Sequence, residues 1–252
     1  MYRKKKIVVA IFLIVGVISL SIIGTKAMIV SNTVDNKPIF KVNTDKKEVA
    51  ITFDINWAEN DYLYDILDIL NKYNVKATFF IMGKWVNYPE GNKEKLIKIN
   101  DMGHEVGNHS YVHPSFSKID ESRMLEELTK TDSIIYETIG VKPTLFRFPS
   151  GDYNDKALKF VLEKGYKCIQ WDCDSVDWKQ SGEEVEYERI MKKVTSGSIM
   201  LFHNNAKYTP SNLEKIILKL KEDGYEFVTV GQLIDCTDYY IDENGEQHKN
   251  NY

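Results

Sequence analysis

The sequence predicts an α/β protein, a distorted (β/α) barrel of about seven parallel strands, preceded by one N-terminal transmembrane helix. Short β-branched and aromatic runs alternate with amphipathic stretches between residues 49 and 230, the pattern of strand–helix–strand units with right-handed crossovers. Ionisable residues fall at or just past the C-terminal ends of most of these runs, where a TIM-barrel-like fold gathers its active site on one face. An uncharged run of 18 residues, Ile7 to Gly24, precedes the rest.

As a helix that run, IVVAIFLIVGVISLSIIG, is about 27 Å long against a hydrocarbon core of about 30 Å. Arg3, Lys4, Lys5 and Lys6 precede it and only Lys26 follows closely, so the basic end stays in the cytoplasm and the body is exported. The expected location is the cell membrane, single-pass, with the body extracytoplasmic. Cleavage at Thr25-Lys26-Ala27 would secrete it, and the lysine inside that small-x-small sequence favours an uncleaved anchor. The chain thus divides into a membrane anchor or signal segment (1–30), a polar tether (31–47), a folded domain (48–236) and a polar tail (237–252) expected to fray.

The net charge is −4 over 252 residues. The first thirty residues hold five cations and no acid, so the remainder carries −9, which argues against a nucleic-acid partner. Cys168, Cys173 and Cys236 are odd in number and form no CxxC pair, so neither a disulfide framework nor a thiolate metal knuckle is expected. The sequence names no protein partner.

The predicted strands are 49–55 (VAITFDI), 77–82 (ATFFIM), 104–109 (HEVGNH), 144–149 (TLFRFP), 167–172 (KCIQWD), 198–203 (SIMLFH) and 226–230 (EFVTV). Between them, Leu63, Ile66, Leu67 and Leu70, and Met124, Leu125, Leu128 and Ile135, have helical spacing. Gly140, Gly165 and Gly224 stand where helices end.

Asp54 closes an apolar strand, where an ionised carboxylate needs compensation, and is a candidate base. His109 and His113 are four residues apart, near enough on one turn to share a divalent ion. His104, at the start of the same strand, reads as structural. Arg147 is a charge in an apolar run and suits the orientation of a carboxylate. His203 ends another apolar strand and is a candidate general acid, with Asp174 or Asp177 to set its pKa. Trp171 and Trp178 flank those acids and suit stacking on a sugar ring, with core packing the alternative for Trp171.

Taken in order, Thr52-Phe53-Asp54, His109-x-x-x-His113, Arg147-Phe-Pro-Ser-Gly151, Asp174-x-x-Asp177-Trp178 and Leu201-x-His203 resemble the five motifs of the polysaccharide deacetylase family, the NodB-homology domain. The forms TFDINW and RFPSGDYN resemble its sporulation-associated, PdaB-like subgroup. The resemblance implies a metal-dependent hydrolase that removes N-acetyl groups from peptidoglycan or a related N-acetylated glycan. It assigns His109 and His113 to the metal, most simply Zn2+, with Co2+ or Mn2+ as alternatives. It makes Asp54 the base toward the attacking water, Arg147 the residue that orients Asp54, Asp177 the partner that tunes His203, and His203 the acid toward the leaving amine. Trp178 and Trp171 would bind substrate, as would Ser150, whose backbone N–H stands where a developing oxyanion could be held.

The chain departs from the family pattern at Ile55, where the family's second aspartate supplies a third metal ligand. Asn56 and Glu59 are the nearest oxygen donors in sequence. Ile55 is the best support for an alternative function, a catalytically degenerate member serving as a glycan-binding or structural protein of the spore envelope.

Overall fold

The computed structural model describes residues 37–234 and 236–250. The predicted membrane segment lies outside the described residues, among which no helix is long and apolar enough to cross a membrane.

The strands, in chain order, are β1 (Lys41–Val42), β2 (Glu48–Ile55), β3 (Thr78–Ile81), β4 (Glu105–Asn108), β5 (Leu145–Phe146), β6 (Lys167–Cys168), β7 (Cys173–Asp174), β8 (Ile199–His203), β9 (Glu226–Phe227), β10 (Tyr239–Ile241) and β11 (Glu246–Lys249). The helices are α1 (Leu63–Lys72), α2 (Gly83–Asn87), α3 (Asn92–Asp101), α4 (Glu121–Ile139), α5 (Asp155–Glu163), α6 (Glu183–Met191), α7 (Thr209–Glu222) and α8 (Val230–Leu233).

Seven strands form a parallel path in the order β6-β5-β4-β3-β2-β8-β7, with β9 beside the first residues of β2. This is an incomplete (β/α) barrel. The run predicted as one strand at 167–172 holds only β6, with β7 just beyond its end, and the run at 226–230 contributes only two paired residues. Register places Asp54 opposite Phe80 on one side and His203 on the other.

The pleat of β2 sorts its side chains into two layers. Val49, Ile51, Phe53 and Ile55 pack with Phe79, Phe202 and the helical residues Leu63, Ile66, Leu67 and Leu70 in the layer between sheet and helices. Ala50 faces the other way, among Phe80, Leu145, Ile169 and Ile199 in the barrel interior. Each fully buried Leu, Ile or Phe contributes about 1.5–3 kcal/mol. Asp54 shares the face of Ala50, and Ile55 takes the opposite one.

Two boundaries differ from the sequence reading. The end of the expected tether belongs to the body: Ile39 donates to Cys168 O at 2.8 Å and accepts from Gln170 N at 2.8 Å, beside the β6 edge. Residues 239–249 of the expected polar tail are ordered, with β10 and β11 pairing antiparallel and β11 pairing β1 in parallel. Asp242 Oδ1 closes the hairpin by accepting from Asn244 N and Glu246 N, both at 2.9 Å. Gly245 permits the turn at φ 81, and a Cβ there would meet the Phe40 ring at 2.3 Å. On α4 the apolar stripe is Met124, Leu128 and Ile135, while Leu125 is 41% exposed and Glu127 is buried in its stead.

Candidate active site

Asp54, at the C-terminal end of β2, meets a buried cation. Arg147, just after β5, is fully buried and donates through Nη1 to Asp54 Oδ1 at 2.9 Å and to Thr52 Oγ1 at 2.8 Å. Its Nη2 donates to Gln170 O at 3.0 Å and its Nε to Ile169 O at 3.3 Å, and the guanidinium lies 4.0 Å from the Phe80 centroid. These contacts fix the fork in one orientation. Burial would raise the Asp54 pKa, but the charges of His109, Arg147 and His203, with the Arg147 hydrogen bond, outweigh it and hold the carboxyl below its usual range. Asp54 is therefore an ionised, oriented carboxylate.

His109, immediately after β4, has Nδ1 2.9 Å from Arg147 O. A carbonyl only accepts, so Nδ1 carries the proton and Nε2 presents a lone pair. That Nε2 is buried, has no hydrogen-bond partner, and lies 3.5 Å from Asp54 Oδ2. Burial above all pulls His109 down to about 4, with His113 acting the same way against the opposing charge of Asp54. His113 is lowered too, by burial first, and its ring lies 4.9 Å from that of His109. Both imidazoles are neutral at neutral pH, the form that binds metal.

The loop carrying them is held from α4. Glu127 Oε2 accepts from Tyr111 N at 2.7 Å and Val112 N at 2.8 Å, and its Oε1 accepts from Arg123 Nη2 at 2.6 Å. Asn108 Oδ1 accepts from Ser110 N at 2.8 Å, and Ser110 Oγ accepts from His113 N at 3.0 Å. Ser110 (φ 65) and His113 (φ 62) are both left-handed, a conformation that costs a non-glycine residue about 1–3 kcal/mol and persists only where its surroundings over-determine it.

These observations fit a divalent ion at two positions, through the unpartnered Nε2 of His109 and the neutral ring of His113. The third position is different. Ile55 is fully buried in the sheet–helix layer, the Asn56 backbone is bonded to Asn204, and Glu59 is exposed. Among the described residues, three converging donors occur instead at Asp242, Glu246 and His248 on the β10–β11 hairpin.

His203 ends β8. Its Nδ1 donates to Asp177 Oδ1 at 2.7 Å, and Asp177 Oδ2 accepts from His203 N at 2.9 Å and Thr209 Oγ1 at 2.6 Å. This leaves Nε2 free for substrate. Burial pulls the His203 pKa down, but the hydrogen bond and charge of Asp177, with Asp54 and Asp174, outweigh it and raise it above 6.5. His203, whose protonated form is favoured, and ionised Asp54 thus face one another across the β2–β8 pair, their pKa values pushed apart.

Asp174 accepts from Val176 N at 2.8 Å and closes the turn before Asp177. Trp171 is half-buried against the Arg147 guanidinium, 5.5 Å from the ring centroid, whereas Trp178 is 56% exposed. Ser150 is exposed with φ 56 inside a short 3-10 turn. His104 accepts from Ala77 N at 3.2 Å and is held near 4, chiefly by burial. Cys168 and Cys173 are buried and free of disulfides. Sequence reasoning missed Thr52, Glu127 and Thr209; an acid inside the apolar stripe of α4 was the one signal available for Glu127.

The sequence model of the polysaccharide deacetylase family matches residues 41–169. The chain is 40% identical over 201 residues to the uncharacterized protein YlxY of Bacillus subtilis, covering 80% of this chain and 61% of that relative, so it spans about three fifths of that protein's length. It is 33% identical over 197 residues to the peptidoglycan-N-acetylmuramic acid deacetylase PdaA of Bacillus subtilis, covering 76% of this chain and 73% of that one. Among solved structures, BA3943 of Bacillus anthracis, described as a CE4 family pseudoenzyme, superposes with a TM-score of 0.73 at 33% identity, covering 85% of this chain and 73% of that one. A BA3943 mutant described as having restored enzymatic activity superposes equally well at 37% identity, covering 79% of this chain and 71% of that one.

Proposed function

We propose that this chain, which belongs to the polysaccharide deacetylase family, is a carbohydrate N-deacetylase that hydrolyses the acetamido group of a cell-wall glycan. The observation that carries the proposal is the pair of preset proton carriers on adjacent strands, Asp54 held ionised by Arg147 and His203 hydrogen-bonded to Asp177, which favours its protonated form. PdaA supports the choice of peptidoglycan or a related N-acetylated glycan as substrate.

His109 and His113 would hold the divalent ion, with zinc the best match to two imidazoles and cobalt or manganese as alternatives. When bound, such an ion supplies Lewis-acid chemistry that polarises the acetyl carbonyl and eases ionisation of water. Asp54 takes the proton from the attacking water as its oxygen bonds to the acetyl carbon. Arg147 keeps the carboxylate from turning away, acting as a positioning residue. The C–N bond then breaks as His203 Nε2 gives its proton to the departing nitrogen, leaving acetate and a free amine. Trp178 offers an exposed indole face for a neighbouring sugar.

The action is proposed for the extracytoplasmic face of the membrane, with residues 7–24 as the anchor, and for spore formation on the strength of the subgroup resemblance.

A second reading has its own observation. Ile55 sits in the apolar layer where the family's third ligand belongs, and a structural relative is described as a pseudoenzyme. On that reading the chain binds N-acetylated glycan in the spore envelope without turning it over. Incubating the zinc-supplemented protein with N-acetylated glycan and counting new amines by mass spectrometry separates the two. The proposal expects acetyl loss that disappears in Asp54→Asn, and the second reading expects bound, unchanged glycan.

A further inference from the structure

Resting on the glycan-directed function proposed above, we infer that Trp57, Lys84 and Tyr88 form a subsite for a carboxylate-bearing sugar flanking the sugar that reacts. Trp57 lies three residues past Asp54. The residue before it, Asn56, is latched to Asn204, the neighbour of His203, by bonds of 3.0 and 3.1 Å. Lys84 lies on α2, whose first residues, Gly83 and Lys84, donate backbone N–H groups to Ser110 O and Tyr111 O at 2.9 Å, inside the loop of His109 and His113. Both segments therefore spring from backbone that is bonded directly to the catalytic strand ends.

The Trp57 ring is held by the Tyr88 backbone carbonyl and met by the Lys84 ammonium. The Trp57 indole Nε1 donates to Tyr88 O at 2.8 Å, which fixes its plane, and Lys84 Nζ stands 5.2 Å from the ring centroid. Trp57 is 39% exposed and Tyr88 68%. A fixed indole left in water beside a polar cleft offers the flat, weakly hydrated surface onto which the C–H face of a pyranose stacks.

The charge narrows the occupant. Among the described residues Lys84 forms no ion pair with a carboxylate, and its ammonium stands beside the Trp57 ring. An ammonium held beside a sugar platform is locally complementary to an anionic glycan. Neutral N-acetylated sugars use the ring alone, and a sugar with an acidic ether substituent uses both.

The test is titration of the purified protein, with chelator present so that nothing turns over, with two N-acetylated tetrasaccharides. One is chitotetraose, and the other is a peptidoglycan tetrasaccharide whose alternate sugars carry a lactyl carboxylate. The wild type should prefer the acidic glycan by about 2- to 5-fold, the size of one exposed ion pair, and the preference should shrink in high salt. Lys84→Met should abolish the preference and leave chitotetraose binding unchanged. Trp57→Leu should weaken both by about 10-fold. A wild type that binds both glycans equally, or a Lys84→Met protein that keeps the preference or weakens both alike, overturns the subsite while sparing the proposed function. A wild type that binds neither overturns both.

Discussion

Replacing Arg147 with methionine removes the cation facing Asp54 while keeping much of the side chain's length. In the native protein the guanidinium is fully buried and donates to Asp54, Thr52, Ile169 and Gln170. Deleting one member of such a pair leaves an uncompensated buried charge and costs about 3–5 kcal/mol, a large share of a domain stability of about 5–15 kcal/mol. The pH dependence should also change. With Arg147 present, Asp54 is lowered from 3.8, so its contribution to stability is present above 3.8 and is lost as pH falls through the folded value. Without Arg147, its charge and hydrogen bond no longer oppose burial, so the Asp54 pKa rises and less stability is gained as pH climbs past it. Urea unfolding at pH 4 and pH 7 measures both effects. The gap between wild type and Arg147→Met should be wider at pH 7, and Arg147→Met/Asp54→Asn should recover much of it. A loss under about 1 kcal/mol, an equal gap at both pH values, or no recovery in the double variant would refute the reasoning.

Four further outcomes are expected. His203→Gln should lower turnover by about 10²- to 10⁴-fold with little change in glycan affinity, and Asp177→Asn, by removing the group that raises the His203 pKa, should move the alkaline limb of the pH–rate profile to lower pH. Glu127→Gln, by weakening the hold on Tyr111 N and Val112 N, should lower zinc affinity about 10- to 100-fold, as read by competition with a chromogenic chelator. Glu186 is raised to about 7, by burial first and then by Asp177, so the folded state binds its proton more tightly and stability falls as pH rises from 4.5 toward 7. Glu186→Gln should flatten that fall and add, after discounting for solvent screening, about 1–2 kcal/mol at pH 8 in urea titrations.

The long strands were legible because their side chains carry the pattern themselves. β2, β3 and β8 are mostly apolar runs, and the charged residues near the C-terminal ends of β2 and β8, Asp54 and His203, face the site. β7 was not legible, since two residues have no period, and neither was the β10–β11 hairpin, whose polar sequence gains its order from pairing with β1. At the site, Asp54, Arg147 and His203 stood out as charges in apolar strands, and burial makes such charges seek one another. Glu127 and Thr209 did not stand out, because they act on loop groups distant in the chain, namely the amides at residues 111 and 112 and the carboxylate of Asp177. Ile55 was visible as a missing donor, and the structure adds the direction in which it points, into the layer of Leu63 and Phe53.

The most direct test of a working two-imidazole site is to titrate the chelator-stripped protein with zinc while following acetate released from an N-acetylated glycan. The account predicts that acetate release rises with bound zinc, saturates near one equivalent, and is lost together with the bound zinc in His109→Ala. A protein that retains no zinc and releases no acetate, yet still binds the glycan, would contradict it and leave the binding-protein reading in its place.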